Sequence, residues 1–403
     1  MCKPVKIAII TPPLWGHTYP TIAIGEKLIE MGYGVCWISM LDYLEYVLPK
    51  HARYIQLPGN KVISGMIGYK QYGMQSICNL YEDDLLPLNR HMHQSLSNIL
   101  EREKFDAVIT DQQAFAGAIA AFQHNIPFVT SVTAPAAIDP SNAFPEVLNF
   151  EKSKIVLLQK QLGISLNYPL VCSSPLTLVY SSEYFLGGNV FPESYKFIGP
   201  SINNRSNENW ELPEQICQNR GRQKILVTMG SVLNRESLFI DKIIEAYNNE
   251  NIEVILVADP TLRENWPDNF WVFPYISQMK VLEQVDAVIC HGGQNTVSEA
   301  LSLGLPVMVI PVAYDQSYVA TKLVNSGAGI RLKYKRLTTR QLKAGLYELL
   351  ENNSVKQAAQ KVKESFDTAG GAQAGAKLVH KFICRETEGR ASLNKNLTDI
   401  ENG

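Results

Sequence analysis

Apolar residues in this chain fall in short runs, and between the runs they recur every third or fourth position; the two patterns alternate along most of its length. Residues 5–11 form an apolar run of the kind expected of a parallel strand buried on both faces. A loop carrying Pro12, Pro13, Trp15, Gly16 and His17 follows. Ile22, Gly25, Leu28 and Ile29 then recur at helical intervals up to Gly32, and residues 35–39 read as a second strand, which makes a βαβ unit. Residues 105–110, 128–132 and 176–180 predict three more strands, with a helix over 114–122 between the first two. Beyond a polar stretch the alternation begins again. Strands are expected at 225–229, 254–257, 287–290 and 307–310 with helices between them, then terminal helices at 338–350, 355–366 and 372–382.

This map gives an α/β protein of two doubly wound, Rossmann-like domains. The first is assigned to residues 1–200 and the second to 224–371, joined by a linker at 201–223 that is rich in Asn, Ser and Arg. A closing helix covers 372–384, and the polar tail 385–403 carries no periodicity and is expected to be disordered. Two stretches break the alternation. Residues 62–100 interleave Gly65, Gly68 and Gly73 with Met66, Ile67, Tyr69, Tyr72 and Met74, and residues 135–169 are irregular as well. Such segments serve either as an adaptable binding wall or as core helices and their connections.

Composition narrows the classes. Of 403 residues, 46% are hydrophobic and 19% charged, with a formal net charge of −2, so no basic excess points to nucleic acid. Seven cysteines are scattered without a C-x-x-C pair, which argues for a reducing, cytoplasmic setting and against zinc. No uninterrupted apolar stretch reaches the roughly 18 residues of a transmembrane helix. The apolar run after Lys3 and Lys6 is too short for a signal peptide and is broken by Pro12 and Pro13.

The densest chemistry lies in residues 288–316. An apolar run ends in His291-Gly292-Gly293-Gln294-Asn295-Thr296, and helical spacing follows to Leu303. Glycines let a ligand approach the backbone, and the unpartnered amides of a helix N-terminus favour an anion such as a phosphate, with His291 as a donor at the mouth. After Gly304 another strand leads to Asp315 and Gln316 at its C-terminal edge, where ligands bind in open α/β sheets. A Gly-Gly turn before a helix is equally a plain tight connection. With Tyr275, Gln278, His291, Gly293, Asn295, Thr296, Glu299, Asp315 and Gln316, however, the run resembles the nucleotide-sugar signature of family 1 glycosyltransferases, the UDP-glycosyltransferases of plants, animals and bacteria. The intervals from His291 to Gln316 agree with the plant form without a gap, while the segment between Gln278 and His291 is shorter. The resemblance implies the GT-B fold, two facing domains with the active site in the cleft and a last helix crossing back onto the first.

It also implies roles. Gly16-His17-Thr18-Tyr19-Pro20 resembles the family's G-H-x-x-P motif, whose His is the general base. From its loop position alone His17 could equally cap or pack. Asp111, after the strand 105–110, matches the Asp that orients that base, and by position it could also cap the helix that begins near Ala114. Gly230-Ser231 can present amides and a hydroxyl to the diphosphate. Tyr275 stands where plant members stack a Trp on the uracil, and Gln278 accompanies it. Glu299 would accept from ribose hydroxyls, or lie on a helix surface. Asp315 and Gln316 would hold sugar hydroxyls.

The expected reaction is inverting transfer of a sugar, glucose by the resemblance of Gln316, from a UDP-sugar to a hydroxyl of an apolar small molecule such as a polyketide, carotenoid, sterol or phenolic. No metal or other cofactor is expected, since the helix N-terminus, His291 and the cradle amides can replace a divalent ion. The one adjacent acid pair, Asp83-Asp84, reads as a solvated helix turn, and His91 and His93 face different sides of a helix. Two other readings are a UDP-sugar 2-epimerase, which would need cleft carboxylates in place of the His17 and Asp111 pairing, and a noncatalytic nucleotide-sugar-binding auxiliary protein.

Overall fold

A computed structural model describes residues 5–59, 74–139, 145–172, 175–202, 210–218, 221–230, 237–312 and 315–401. Among the described residues, thirteen strands form two wholly parallel sheets. The first takes β1 (Lys6–Ile10), β2 (Gly34–Ser39), β3 (Arg53–Gln56), β4 (Ala107–Asp111), β5 (Phe128–Val132), β6 (Thr177–Val179) and β7 (Tyr195–Phe197), in the order β3-β2-β1-β4-β5-β6-β7. The second takes β8 (Gln223–Thr228), β9 (Ile252–Val257), β10 (Phe270–Phe273), β11 (Ala287–Cys290), β12 (Val307–Val309) and β13 (Gly329–Arg331), in the order β10-β9-β8-β11-β12-β13.

The apolar runs are explained by burial on both faces of each sheet. Along β1, Ala8 and Ile10 join one core cluster and Ile7 and Ile9 the other. Along β11, Val288 and Cys290 face one side and Ala287 and Ile289 the opposite one. The helix Trp15–Glu30 lies so close to the first sheet that a Cβ at Gly25 would stand 2.1 Å from the Trp37 ring.

Strand order reverses between β1 and β4 in one sheet and between β8 and β11 in the other. These are the switch points, where the loops leaving the C-terminal edges diverge and open a crevice. His17 follows β1, Asp111 ends β4, Gly230 follows β8 and His291 follows β11.

Behind the cleft the two halves are fused. Val132, Val179, Phe185 and Leu186 of the first half share one buried cluster with Val319, Leu323 and Phe366 of the second. The terminal helix returns to the first half, where Ala376, Val379, Phe382 and Ile383 pack among Ile22, Ile24 and Leu28.

Three expectations change. The terminal helix runs from Gly371 to Glu401, through the segment expected to be disordered. That segment holds no proline, and its Arg, Glu, Lys and Leu residues favour helix without needing a buried face. The polar linker is anchored, because Leu212 and Ile216, the latter in a short helix Glu214–Gln218, are buried in the cluster that joins the halves. Asp84 is no solvated turn residue: it lies in a π-helical segment, Leu80–Leu85, and is 2% exposed. A π turn shifts the helical phase, so a position that α periodicity assigns to solvent rotates inward. Burial, and next the charge of Asp83, raise its carboxyl above the usual range. Residues 60–73, with most of the Gly, Met and Tyr stretch, lie outside the described residues, as does Ser231. The part of that stretch from Tyr81 to Leu100 is core-forming, with Tyr81, Leu85, Leu88, Met92 and Leu96 buried.

Candidate active site

At the first switch point three side chains form a closed set. His17 Nδ1 lies 2.9 Å from Asp111 Oδ1 and 2.7 Å from Thr133 Oγ1. The Thr133 hydroxyl donates to Asp111 Oδ2 at 2.9 Å, so its oxygen can only accept from the imidazole. Asp111 Oδ1 also accepts the Gln113 amide at 2.9 Å. Nδ1 is thereby held as the protonated nitrogen and Nε2 carries the lone pair. Asp111 braces its own loop and does not cap the following helix, whose N-cap is Ala114 with no side-chain bond. Its side chain is inaccessible, and that of His17 keeps 14% of its surface. Burial alone would lower the imidazole pKa. The charge of Asp111, its hydrogen bond and the charge of Asp315 outweigh burial and hold it above 6.5.

Sequence spacing singled out His17 and Asp111 but not Thr133. The signal was topological: Thr133 follows β5, the strand paired to β4 with Ser131 opposite Asp111, so it leaves the same sheet edge beside the carboxylate.

The second switch point faces the first. The helix Gln294–Ser302 starts at Gly293, which offers no side-chain cap, so its first amides are available to an anion. Gly292 has φ +91°, and a Cβ there would meet Val309 Cγ1 at 2.5 Å. Gly293 must lack a side chain for another reason: its Cβ would lie 2.7 Å from the His291 ring, which also covers Gly230. Burial pushes the His291 pKa down to about 4, partly offset by a hydrogen bond to the Thr228 backbone. The ring is neutral at physiological pH, and its buried Nδ1 has no hydrogen-bond partner.

Around this cradle, Gln278 Nε2 donates to Glu299 Oε2 at 2.5 Å and approaches Thr296 Oγ1 at 3.5 Å, so two expected nucleoside contacts, Gln278 and Glu299, group with Thr296 of the expected phosphate cradle. Glu299 is only 8% exposed, and the surface-glutamate alternative falls away. Tyr275 is 53% exposed, with ring area available for stacking. Gln316 spends its side-chain carbonyl on the Val312 amide, 2.8 Å, bracing the loop before its helix Gln316–Ser326. Asp315, at the N-cap of that helix, is half-buried; burial raises its pKa and the charge of His17 lowers it.

One contact joins the halves beside His17. Asn295 Nδ2 donates to the Gly16 carbonyl at 2.9 Å, so the cradle helix touches the residue preceding His17. A narrow crevice opens alongside, lined by Tyr19 and Tyr180 from one half and Asn295, Ser298 and Glu299 from the other. Among the described residues no group of three His, Cys, Asp or Glu could hold a metal ion, and no helix is long and apolar enough to cross a membrane.

Residues 207–377 match the family model described as the glycosyltransferase family 28 C-terminal domain. The chain is 25% identical to the NDP-glycosyltransferase YjiC of Bacillus subtilis over 94% of its own length and 98% of that protein. It is 24% identical to the zeaxanthin glucosyltransferase of Pseudescherichia vulneris, covering 93% and 97% of the two chains. Among solved structures, the calicheamicin glycosyltransferase CalG4 superposes with a TM-score of 0.79 at 18% identity, over 95% of this chain and 99% of that one. The glycosyltransferase VinC in complex with dTDP gives 0.73 at 18% identity, over 94% and 100%. Fold, family model and full-length relatives converge: the chain is a glycosyltransferase enzyme with the GT-B fold, similar along nearly its whole length to bacterial NDP-glycosyltransferases.

Proposed function

We propose that this glycosyltransferase moves glucose from UDP-glucose to a hydroxyl of an apolar small molecule, a polyketide, carotenoid, sterol or phenolic, with inversion at the anomeric carbon. His17 Nε2 removes the acceptor proton as the oxygen attacks. Asp111 and Thr133 hold the ring in the reactive tautomer, and Asp111 with Asp315 stabilises the imidazolium that forms. The diphosphate leaves into the amides at the start of the Gln294–Ser302 helix. Tyr275 stacks on the base, Gln278 and Glu299 hold the nucleoside, and Asp315 with Gln316 orients the sugar.

The observation that carries this reading is the Asn295 to Gly16 contact at 2.9 Å, which joins the anion cradle to the first turn of the helix Trp15–Glu30, where the base sits with its Nδ1 already occupied. The zeaxanthin glucosyltransferase and the NDP-glycosyltransferase among its relatives support a nucleotide-sugar donor and an apolar acceptor. The decisive experiment incubates the enzyme with UDP-glucose, or with a dTDP-sugar in parallel, and an acceptor panel read by mass. Release of UDP together with a hexose added to an acceptor is expected; dTDP release alone would reassign the donor. The variant His17→Ala should bind UDP as the wild type does and lose turnover by on the order of 10² or more. Near-normal turnover in that variant would overturn the assignment of the base.

A further inference from the structure

Asp139 makes a connection between the two halves that the catalytic reading leaves unused. It lies shortly beyond Thr133, on the segment that follows β5, and is fully buried, 0% exposed. Its Oδ2 is 2.6 Å from Lys322 Nζ and accepts the Tyr318 hydroxyl, while Oδ1 accepts Asn189 Nδ2 at 2.9 Å. Lys322 also donates to the Leu186 carbonyl at 2.6 Å, and its ammonium stands 5.2 Å from the centroid of the Tyr318 ring. Asp139, Leu186 and Asn189 belong to the first half; Tyr318 and Lys322 belong to the helix Gln316–Ser326 of the second. Asp315, Tyr318 and Lys322 fall at helical spacing on one side of that helix. The face that brings Asp315 toward His17 is therefore the face that grips Asp139.

An apolar contact tolerates sliding, but a buried ion pair does not, because any displacement leaves a charge unpaired in a dry interior. Such a pair adds little net stability, since the loss of hydration offsets the attraction. What it does supply is a fixed spacing. We propose that Asp139 is a positioning residue: through Tyr318 and Lys322 it sets the sugar-holding end of the Gln316–Ser326 helix at the distance from His17 and Thr133 that transfer requires. This rests on the glycosyl-transfer reading above for the reaction, though not for the linkage itself.

The test uses the full-length enzyme as Asp139→Asn, Lys322→Met, the double variant and Tyr318→Phe, the last removing one hydroxyl from an otherwise intact interface. In each, kcat, donor KM, UDP affinity, melting temperature and amide hydrogen exchange are measured. Asp139→Asn should lower kcat per folded molecule by about 10- to 100-fold, the effect of misplacing reacting groups by about 1 Å, with UDP affinity nearly unchanged. The double variant should be no slower than the slower single one, because removing both charges leaves neither unpaired. Exchange should rise together in residues 134–139 and 316–326. A kcat within about twofold of wild type in Asp139→Asn would overturn the proposal, as would single effects that multiply in the double variant. If Asp139→Asn does not fold, Tyr318→Phe decides by the same criterion. If the wild type moves no sugar, the transferase reading fails by itself, and exchange then judges the linkage: a rise confined to one of the two segments refutes it.

Discussion

Asp111 does for His17 what spacing alone could not reveal: it fixes a tautomer and moves a titration. The imidazole pKa stands above 6.5 although burial pulls it down, because the Asp111 charge and hydrogen bond, with Asp315, push harder in the other direction. A base must be unprotonated to act, so turnover should fall as pH drops through this raised value. Asp111→Asn removes the largest raising influence and leaves burial, so the acid limb of kcat/KM should move to lower pH. Turnover at the optimum should fall by on the order of 10² to 10⁴, since an amide also tolerates the wrong tautomer. A pH profile of the variant checks both parts, and an unshifted acid limb would mean that another group governs it. His17 and Asp111 were legible as residues because each sits in or beside a short motif. Thr133 was not, because a threonine after a strand announces nothing until the strand order places β5 against β4.

Among the elements, legibility follows position in the sheet. The strands that the apolar runs predict, β1, β2, β4, β5, β6, β8, β9, β11 and β12, are the interior ones; the four left unmarked, β3, β7, β10 and β13, are the edges of the two sheets. Edge strands here are short and half-exposed, so they need no continuous apolar run; β3 reads Arg-Tyr-Ile-Gln, with both ends exposed. Loops obey a different rule, in which conformation and crowding select the residue. At Gly292 a positive φ coincides with a Cβ position 2.5 Å from Val309 Cγ1 and 3.3 Å from the Gln316 carbonyl, so any side chain both strains the backbone and pushes the Gln316–Ser326 helix away. Gly292→Ala should cost about 1–3 kcal/mol in a denaturant or thermal melt and weaken UDP binding with it. Unchanged UDP affinity in a destabilised variant would separate the loop's structural role from its place in the cradle.

For the molecule as a whole, repeated βα alternation and one polar break suffice to give two lobes, but how they are held together is hidden from one-dimensional pattern. The residues responsible come from distant places: Phe185, in the short helix Glu183–Leu186, packs edge-on to Phe366 with ring centroids 5.8 Å apart at 70°. Leu212 and Ile216 from the polar linker enter the same cluster, and the terminal helix clasps the first lobe from behind. An apolar joint at the back, with polar contacts such as Asn295 to Gly16 at the front, makes the front the side that can open for substrates while the back persists. Heat should therefore unfold both lobes in one cooperative transition, because neither can lose its core without exposing the shared cluster. Phe185 is 2% exposed, and Phe185→Ala, which leaves a cavity between the lobes, should cost about 3–5 kcal/mol. Calorimetry of that variant should resolve two transitions, the one that UDP raises belonging to the second lobe. A single transition lowered as a block would instead place the linkage between the lobes in the terminal helix, and Val379→Asp would then be the substitution that divides them.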